Sequence, residues 1–302
     1  MVYLVFGAGL LALFFGGEFL VRGAVGIARR YHVPPLVIGL TIVGFGTSMP
    51  ELLVSLQAAL AGTPAIAVGN VLGSNIANIL LILGLSSLIA PVGMRLGDLP
   101  RDFAVMIGAA LLLWALMWGG LLTRVEGFLL LAGLVAYLAL CLRDKAEPEP
   151  EGAHVPPLLQ SLLAALGGLA TLMLGAKFLV SSATEIARDY GISEAVIGLT
   201  IVAVGTSLPE LATSLVAAFR RQADIAVGNI LGSNIFNILG ILGATAAVTP
   251  VPIDPRFVGL DMGLVLAASI ALLALAAAAG RIGRRAGGGL LIAYGSYLAL
   301  MG

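Results

Sequence analysis

The chain has 302 residues, 60% of them hydrophobic and only 11% charged, and its sixteen basic and sixteen acidic residues cancel to a formal net charge of zero. A water-soluble domain of this length needs far more charge to cover its surface, so the composition calls for the bilayer as solvent. One cysteine, Cys141, and two histidines, His32 and His154, exclude a disulfide framework and a Cys/His zinc site.

A transmembrane helix takes about 20 predominantly apolar residues. Ten such spans can be drawn in chain order, at 2–28, 35–61, 64–90, 101–119, 122–142, 157–187, 193–219, 224–248, 257–279 and 286–301. The first begins at Met1, Val2 and Tyr3 without a basic leader, so no cleavable signal peptide is expected. Between the fifth and sixth spans runs the one long polar stretch, rich in proline and glutamate from Arg143 to Glu151, which reads as a solvated linker. The expected architecture is therefore an all-α membrane protein of ten transmembrane helices. It divides into a five-helix unit at 1–142, a polar linker at 143–156 and a second five-helix unit at 157–302.

Arginine and lysine gather on the cytoplasmic side of membrane proteins. With the N-terminus outside, the inner loops and span ends hold Arg22, Arg29, Arg30, Arg95, Arg101, Arg143, Lys145, Arg220, Arg221, Arg281, Arg284 and Arg285, against only Arg124, Arg188 and Arg256 outside. That bias puts both termini outside and the linker in the cytoplasm, in a cell (inner) membrane. Five being odd, the second unit then crosses in the opposite sense, giving two inverted repeats.

The two units share sequence. Gly39 to Leu52 (GLTIVGFGTSMPEL) recurs at Gly198 to Leu211 (GLTIVAVGTSLPEL), and Ile66 to Ile79 (IAVGNVLGSNIANI) recurs at Ile225 to Ile238 (IAVGNILGSNIFNI). The steps from 51 to 210 and from 78 to 237 are both 159 residues, and no gap is needed from about Phe19 to Pro91. Helix packing explains the glycines that the two copies share, but it does not explain a glutamate in each copy.

Glu51 and Glu210 lie well inside apolar spans, where an acidic side chain costs about 3 kcal/mol on insertion scales and needs a partner or a cavity. No basic residue lies at that depth in the second, third, seventh or eighth span. A bound cation is the natural counter-charge, with protonation as the other route to neutrality. Pro50 and Pro209 precede the glutamates, and a proline inside a helix frees the carbonyl four residues back, here Gly46 and Gly205. Thr47 and Ser48 stand one turn before Glu51, as Thr206 and Ser207 do before Glu210. The next spans add Asn70, Ser74 and Asn78, and Asn229, Ser233 and Asn237, at intervals of four. The donors are all oxygen, which suits hard cations such as Ca²⁺ and Na⁺. Two carboxylates neutralise one Ca²⁺, whereas three Na⁺ in their place leave one net positive charge, so a three-for-one exchange is expected to move charge.

The paired motifs GTSMPE at 46–51 with GSNIAN at 73–78, and GTSLPE at 205–210 with GSNIFN at 232–237, resemble the two alpha-repeats of the calcium/cation antiporter superfamily, in particular its prokaryotic sodium/calcium exchangers. The resemblance implies alternating access at a site formed by the bent second and seventh spans with the third and eighth. It implies that Glu51 and Glu210 hold Ca²⁺ with the carbonyls of Thr47 and Thr206. Sodium sites would add Ser48, Ser74, Ser207, Ser233 and backbone oxygens near Gly44 and Ala203, with Asn78 and Asn237 lining the middle. Some members, including potassium-dependent exchangers, carry aspartate where Asn237 stands, so potassium co-transport is not expected here.

The expected function is Na⁺/Ca²⁺ antiport without a cofactor, with the two ions as substrates, the lipid bilayer as surroundings and no nucleic acid. A proton-coupled divalent-cation exchanger and a cation channel are the alternatives. An intramembrane hydrolase, hence an enzyme, is disfavoured because no histidine or lysine lies at suitable depth to activate Ser48 or Ser207. Glu18 and Arg22 read as an i,i+4 pair, and Trp114 and Trp118 as interfacial anchors.

Overall fold

The computed structural model of the chain describes residues 1–144, 156–191 and 203–301. Most of the expected linker, with Lys145 and His154, and the start of the second motif copy at 198–202 lie outside these residues. The described part is almost wholly helical: α1 Val2–Tyr31, the bent pair α2 Pro35–Thr47 and α3 Met49–Leu60, α4 Pro64–Ile89, α5 Pro100–Met117, α6 Arg124–Cys141, α7 Leu158–Asp189, α8 Leu208–Phe219, α9 Ala223–Val248, α10 Phe257–Ala279 and α11 Arg284–Met301. Among the described residues seven helices are long and apolar enough to cross a membrane, and the bent pair makes an eighth. Of the other two expected spans, the seventh is described only in its second half, where α8 has 12 residues. The tenth coincides with α11, an 18-residue helix that starts with two arginines and carries four glycines.

Local chemistry sets the helix ends. α1 closes on Arg29 and Arg30, whose charge suits the negative end of the helix, and on His32 in the left-handed conformation at φ 52°. α6 opens on a capping box between Thr123 and Glu126. The positive-φ residues extend the repeat beyond the shared motifs. They fall into pairs, His32 with Gly191, Gly62 with Arg221 and Gly120 with Gly280, each 159 or 160 residues apart. Arg221 holds at φ 58° the turn that Gly62 makes freely. Two short ladders repeat the pattern. β1 (Val92–Gly93) pairs antiparallel with β4 (Arg281–Ile282), and β2 (Leu121–Leu122) with β3 (Val251–Pro252).

α1 and α7 pack closely and run antiparallel, since Gly9 faces Gly175, Gly16 faces Gly168 and Gly23 faces Ser161. Small residues every seventh position let the two backbones meet, the usual device inside a membrane. α9 is enclosed on all sides, with every residue from 225 through 243 buried. Its Gly228 sits against Gly39 of α2, where an added Cβ would lie 2.8 Å from Gly39 Cα and 2.8 Å from Leu40 N. Gly228→Ala is therefore expected to destabilise the fold by roughly 1–3 kcal/mol, seen as a lowered Tm in detergent.

Trp114 is not simply an interfacial anchor. It is half-buried and its Nε1 donates to Val258 O at 2.8 Å, in a π-helical segment at Phe257–Asp261. Wider π turns leave carbonyls off the α ladder, and here an indole takes one up. Trp118, 72% exposed, keeps the peripheral position expected of it.

Candidate functional site

The two glutamates stand at equivalent helix breaks. The first break falls at Ser48, φ −85° and ψ 8°, and the second at Ser207, φ −86° and ψ 7°. The α2–α3 bend is 44°. The break therefore comes two residues before each proline. Pro50 and Pro209 are not interior kinks but second residues of new helices, where a missing N–H costs nothing because the first turn has no partner for it. Glu51 and Glu210 become third residues of α3 and α8, at the positive ends of those helices, which favours a carboxylate there.

Both carboxylates are buried, at 1% and 2% exposure. Each is held by the serine of the opposite break: Ser48 Oγ donates to Glu210 Oε1 at 2.8 Å, and Ser207 Oγ to Glu51 Oε1 at 3.1 Å. Ser207 Oγ also lies 3.3 Å from Ser74 Oγ. Asn70 Nδ2 donates to Glu51 O and Ser55 Oγ, and Asn229 Nδ2 repeats this with Glu210 O and Ser214 Oγ. In this way α4 and α9 clamp the helices that carry the glutamates.

Several acceptors are left over. Glu51 Oε2, Glu210 Oε2, Asn78 Oδ1 and Asn237 Oδ1 are sequestered from solvent with no hydrogen-bond donor among the described residues. Burying such oxygens without a partner is costly, and two of them belong to carboxyl groups. Among the described residues neither glutamate has an ionic partner, and no group of three or more His, Cys, Asp or Glu assembles. The centre has unmet demand for positive charge and only oxygen to offer it.

All of Glu51, Glu210, Thr47, Ser48, Ser74, Asn78, Ser207, Ser233 and Asn237 are buried, supplied by α2, α3, α4, α8, α9 and the breaks at Ser48 and Ser207. Gly44 is brought in as well, but its carbonyl is engaged. It accepts from Ser48 N at 3.2 Å and Ser233 Oγ at 3.2 Å. Thr206 is half-buried, and Ala203 opens the short helical turn Ala203–Gly205. Sequence reasoning missed Asn75 and Asn234. Asn237 Nδ2 donates to Asn75 Oδ1 at 3.0 Å, which turns the Asn237 oxygen away from Asn75, and Asn75 Nδ2 reaches Asn234 O at 3.4 Å. Both asparagines belong to the duplicated GSN motif, so the repeat flagged them while the four-residue stripe did not. The Glu18–Arg22 pair forms as expected, with Arg220 as an unforeseen third member.

Fold and site together define a multi-pass helical membrane protein with a buried acidic, oxygen-lined centre. The family model described as sodium/calcium exchanger protein matches residues 1–143 and 160–302. The chain belongs to that family. It is 40% identical over 276 residues to the inner membrane protein YrbG of Escherichia coli K12, covering 87% of this chain and 84% of that one. It is 31% identical over 346 residues to the sodium/calcium exchanger MaX1 of Methanosarcina acetivorans, covering 99% and 98%. The structure of the sodium-calcium exchanger NCX_Mj soaked with zero Na⁺ and Ca²⁺ superimposes with a TM-score of 0.89 at 33% identity, over 100% of both chains.

Proposed function

We propose that this chain is a secondary antiporter that exchanges Na⁺ for Ca²⁺ by alternating access. The observation that carries the reading is the reciprocal pair Ser48–Glu210 and Ser207–Glu51, with the second oxygen of each buried carboxyl group taking no hydrogen bond among the described residues. Ca²⁺ would take Glu51, Glu210 and the Thr47 and Thr206 carbonyls. Na⁺ would take the same carboxylates with Ser48, Ser74, Ser207, Ser233 and backbone oxygens near Gly44 and Ala203, while Asn78 and Asn237 line the middle. No cofactor and no covalent chemistry are needed. The names of MaX1 and NCX_Mj support the choice of ions.

The architecture we infer is ten spans in two inverted five-helix units, 1–142 and 157–302, joined by the linker 143–156. Support comes from the antiparallel run of α1 against its repeat counterpart α7 and from the paired positive-φ turns. Inverted repeats meeting at broken helices are a recurring plan of secondary transporters. The arginine bias supports both termini outside and the linker in the cytoplasm, and the name of YrbG supports the inner membrane.

Proteoliposomes loaded with Na⁺ and diluted into Na⁺-free medium are expected to take up ⁴⁵Ca²⁺, and vesicles without the Na⁺ gradient are not. Uptake that followed an imposed pH gradient instead would replace Na⁺ by H⁺ as the coupling ion, and uptake indifferent to both gradients would mark a channel.

A further inference from the structure

The two halves of the site match in sequence but not in packing. Beyond Glu210, α8 is shut in: Thr213 is 0% and Val216 5% exposed. Their counterparts on α3, 159 residues earlier, lie open, with Val54 at 36% and Gln57 also exposed. α1 provides the cover on the α8 side. Gly17 brings it close enough that an added Cβ would sit 3.1 Å from Val216 Cγ2 and 3.3 Å from Ala212 O.

An ion pair fastens the covered side. Glu18, 5% exposed on α1, receives Arg22 from one turn on along its own helix and Arg220 Nε, at 2.7 Å, from the end of α8. The repeat holds no second copy of this contact, because the positions equivalent to Glu18, Arg22 and Arg220 are Lys177, Ser181 and Ala61. We propose that Glu18 and Arg220 are positioning residues of the transport cycle: they latch α1 onto α8 and so set the face of the membrane toward which the acidic centre opens. The proposal rests on the carrier reading above. A carrier of inverted repeats passes between states in which its halves exchange roles. In the exchanged state α7 would cover α3, and Lys177 facing Ala61 could not repeat the pair. The latch therefore adds its energy to one state only, and only a differential interaction of that kind shifts a two-state balance. In the topology proposed above the latched end is the inner one, so the pair favours the outward-open state.

The test uses the full chain in liposomes with Cys141→Ser, carrying either Val54→Cys or Thr213→Cys, and reads the ratio of their labelling rates with a membrane-permeant maleimide. Val54→Cys is expected to label faster. Arg220→Gln, which leaves Glu18 paired with Arg22, is expected to shift the ratio toward Thr213→Cys about fivefold, the factor that loss of ~1 kcal/mol produces. Glu18→Gln should act in the same direction, and Glu18→Lys with Arg220→Glu should restore the ratio. A latch with a purely structural role would speed both labelling reactions together, leave the ratio fixed and lower Tm. A ratio unmoved by both single variants overturns the proposal. Labelling does not require transport, so the two readings fail separately. A shifted ratio without Na⁺-driven Ca²⁺ uptake would sink the exchanger and keep the latch, and uptake with an unmoved ratio would sink the latch alone.

Discussion

Glu51→Gln and Glu210→Gln are each expected to weaken Ca²⁺ binding by roughly 150-fold, or about 3 kcal/mol, and to bring Na⁺-driven ⁴⁵Ca²⁺ uptake to background. The figure is the lower end of what removing one partner from a buried charge pair costs. Glutamine keeps the length and the hydrogen-bond acceptor of glutamate, so Ser207 Oγ can still donate to residue 51 and Ser48 Oγ to residue 210. What disappears is one of the two carboxylates that can balance a bound cation, in a centre where neither glutamate has an ionic partner among the described residues. Both variants should remain folded and monodisperse, because a buried acid without a counter-ion gives way to a neutral isostere. Isothermal titration in detergent reads the affinity. A variant at either position that kept wild-type Ca²⁺ affinity would show that its carboxylate does not hold the ion.

Calcium accumulation should depend steeply on voltage. With two fixed negative charges, a site holding Ca²⁺ is neutral and a site holding three Na⁺ carries one net positive charge. Each cycle that brings Ca²⁺ into a vesicle and three Na⁺ out then moves one positive charge outward. An inside-positive potential of about 100 mV contributes about 2.3 kcal/mol per cycle, which raises the attainable Ca²⁺ gradient about 50-fold. Valinomycin with opposed K⁺ gradients sets the potential, and equilibrium ⁴⁵Ca²⁺ reads the response. A gradient unchanged by the potential would mean that two Na⁺ balance each Ca²⁺. The presence of asparagine at 237 bears on this result, since a third fixed carboxylate there would change the charge of both loaded states.

Hydropathy counting and packing diverge at particular helices. The span drawn at 193–219 is described only from residue 203, where a break at Ser207 separates the turn Ala203–Gly205 from the 12-residue α8. α11, with Arg284, Arg285 and four glycines, coincides with the span drawn at 286–301 and starts two residues before it. Proline reasoning pointed to freed carbonyls at Gly46 and Gly205, one turn before the glutamates. The bends fall instead at Ser48 and Ser207, because a proline fits the first turn of a helix better than its interior.

The amino-acid sequence alone determined that the chain lives in a bilayer, that it was built by duplication with a 159-residue step, and that Glu51 and Glu210 need positive charge. Those conclusions follow from the cost of placing charge and unpaired polar groups in hydrocarbon, which any arrangement of the helices must meet. The tertiary structure decided which serine serves which carboxylate, that the amide of Asn75 orients Asn237, and that Arg220 closes on Glu18 from 202 residues away. It also decided that two nearly identical halves take unlike surroundings, with Thr213 buried and its counterpart Val54 open. Identical local sequences have identical local preferences. Only the packing of one half against the other can break that symmetry.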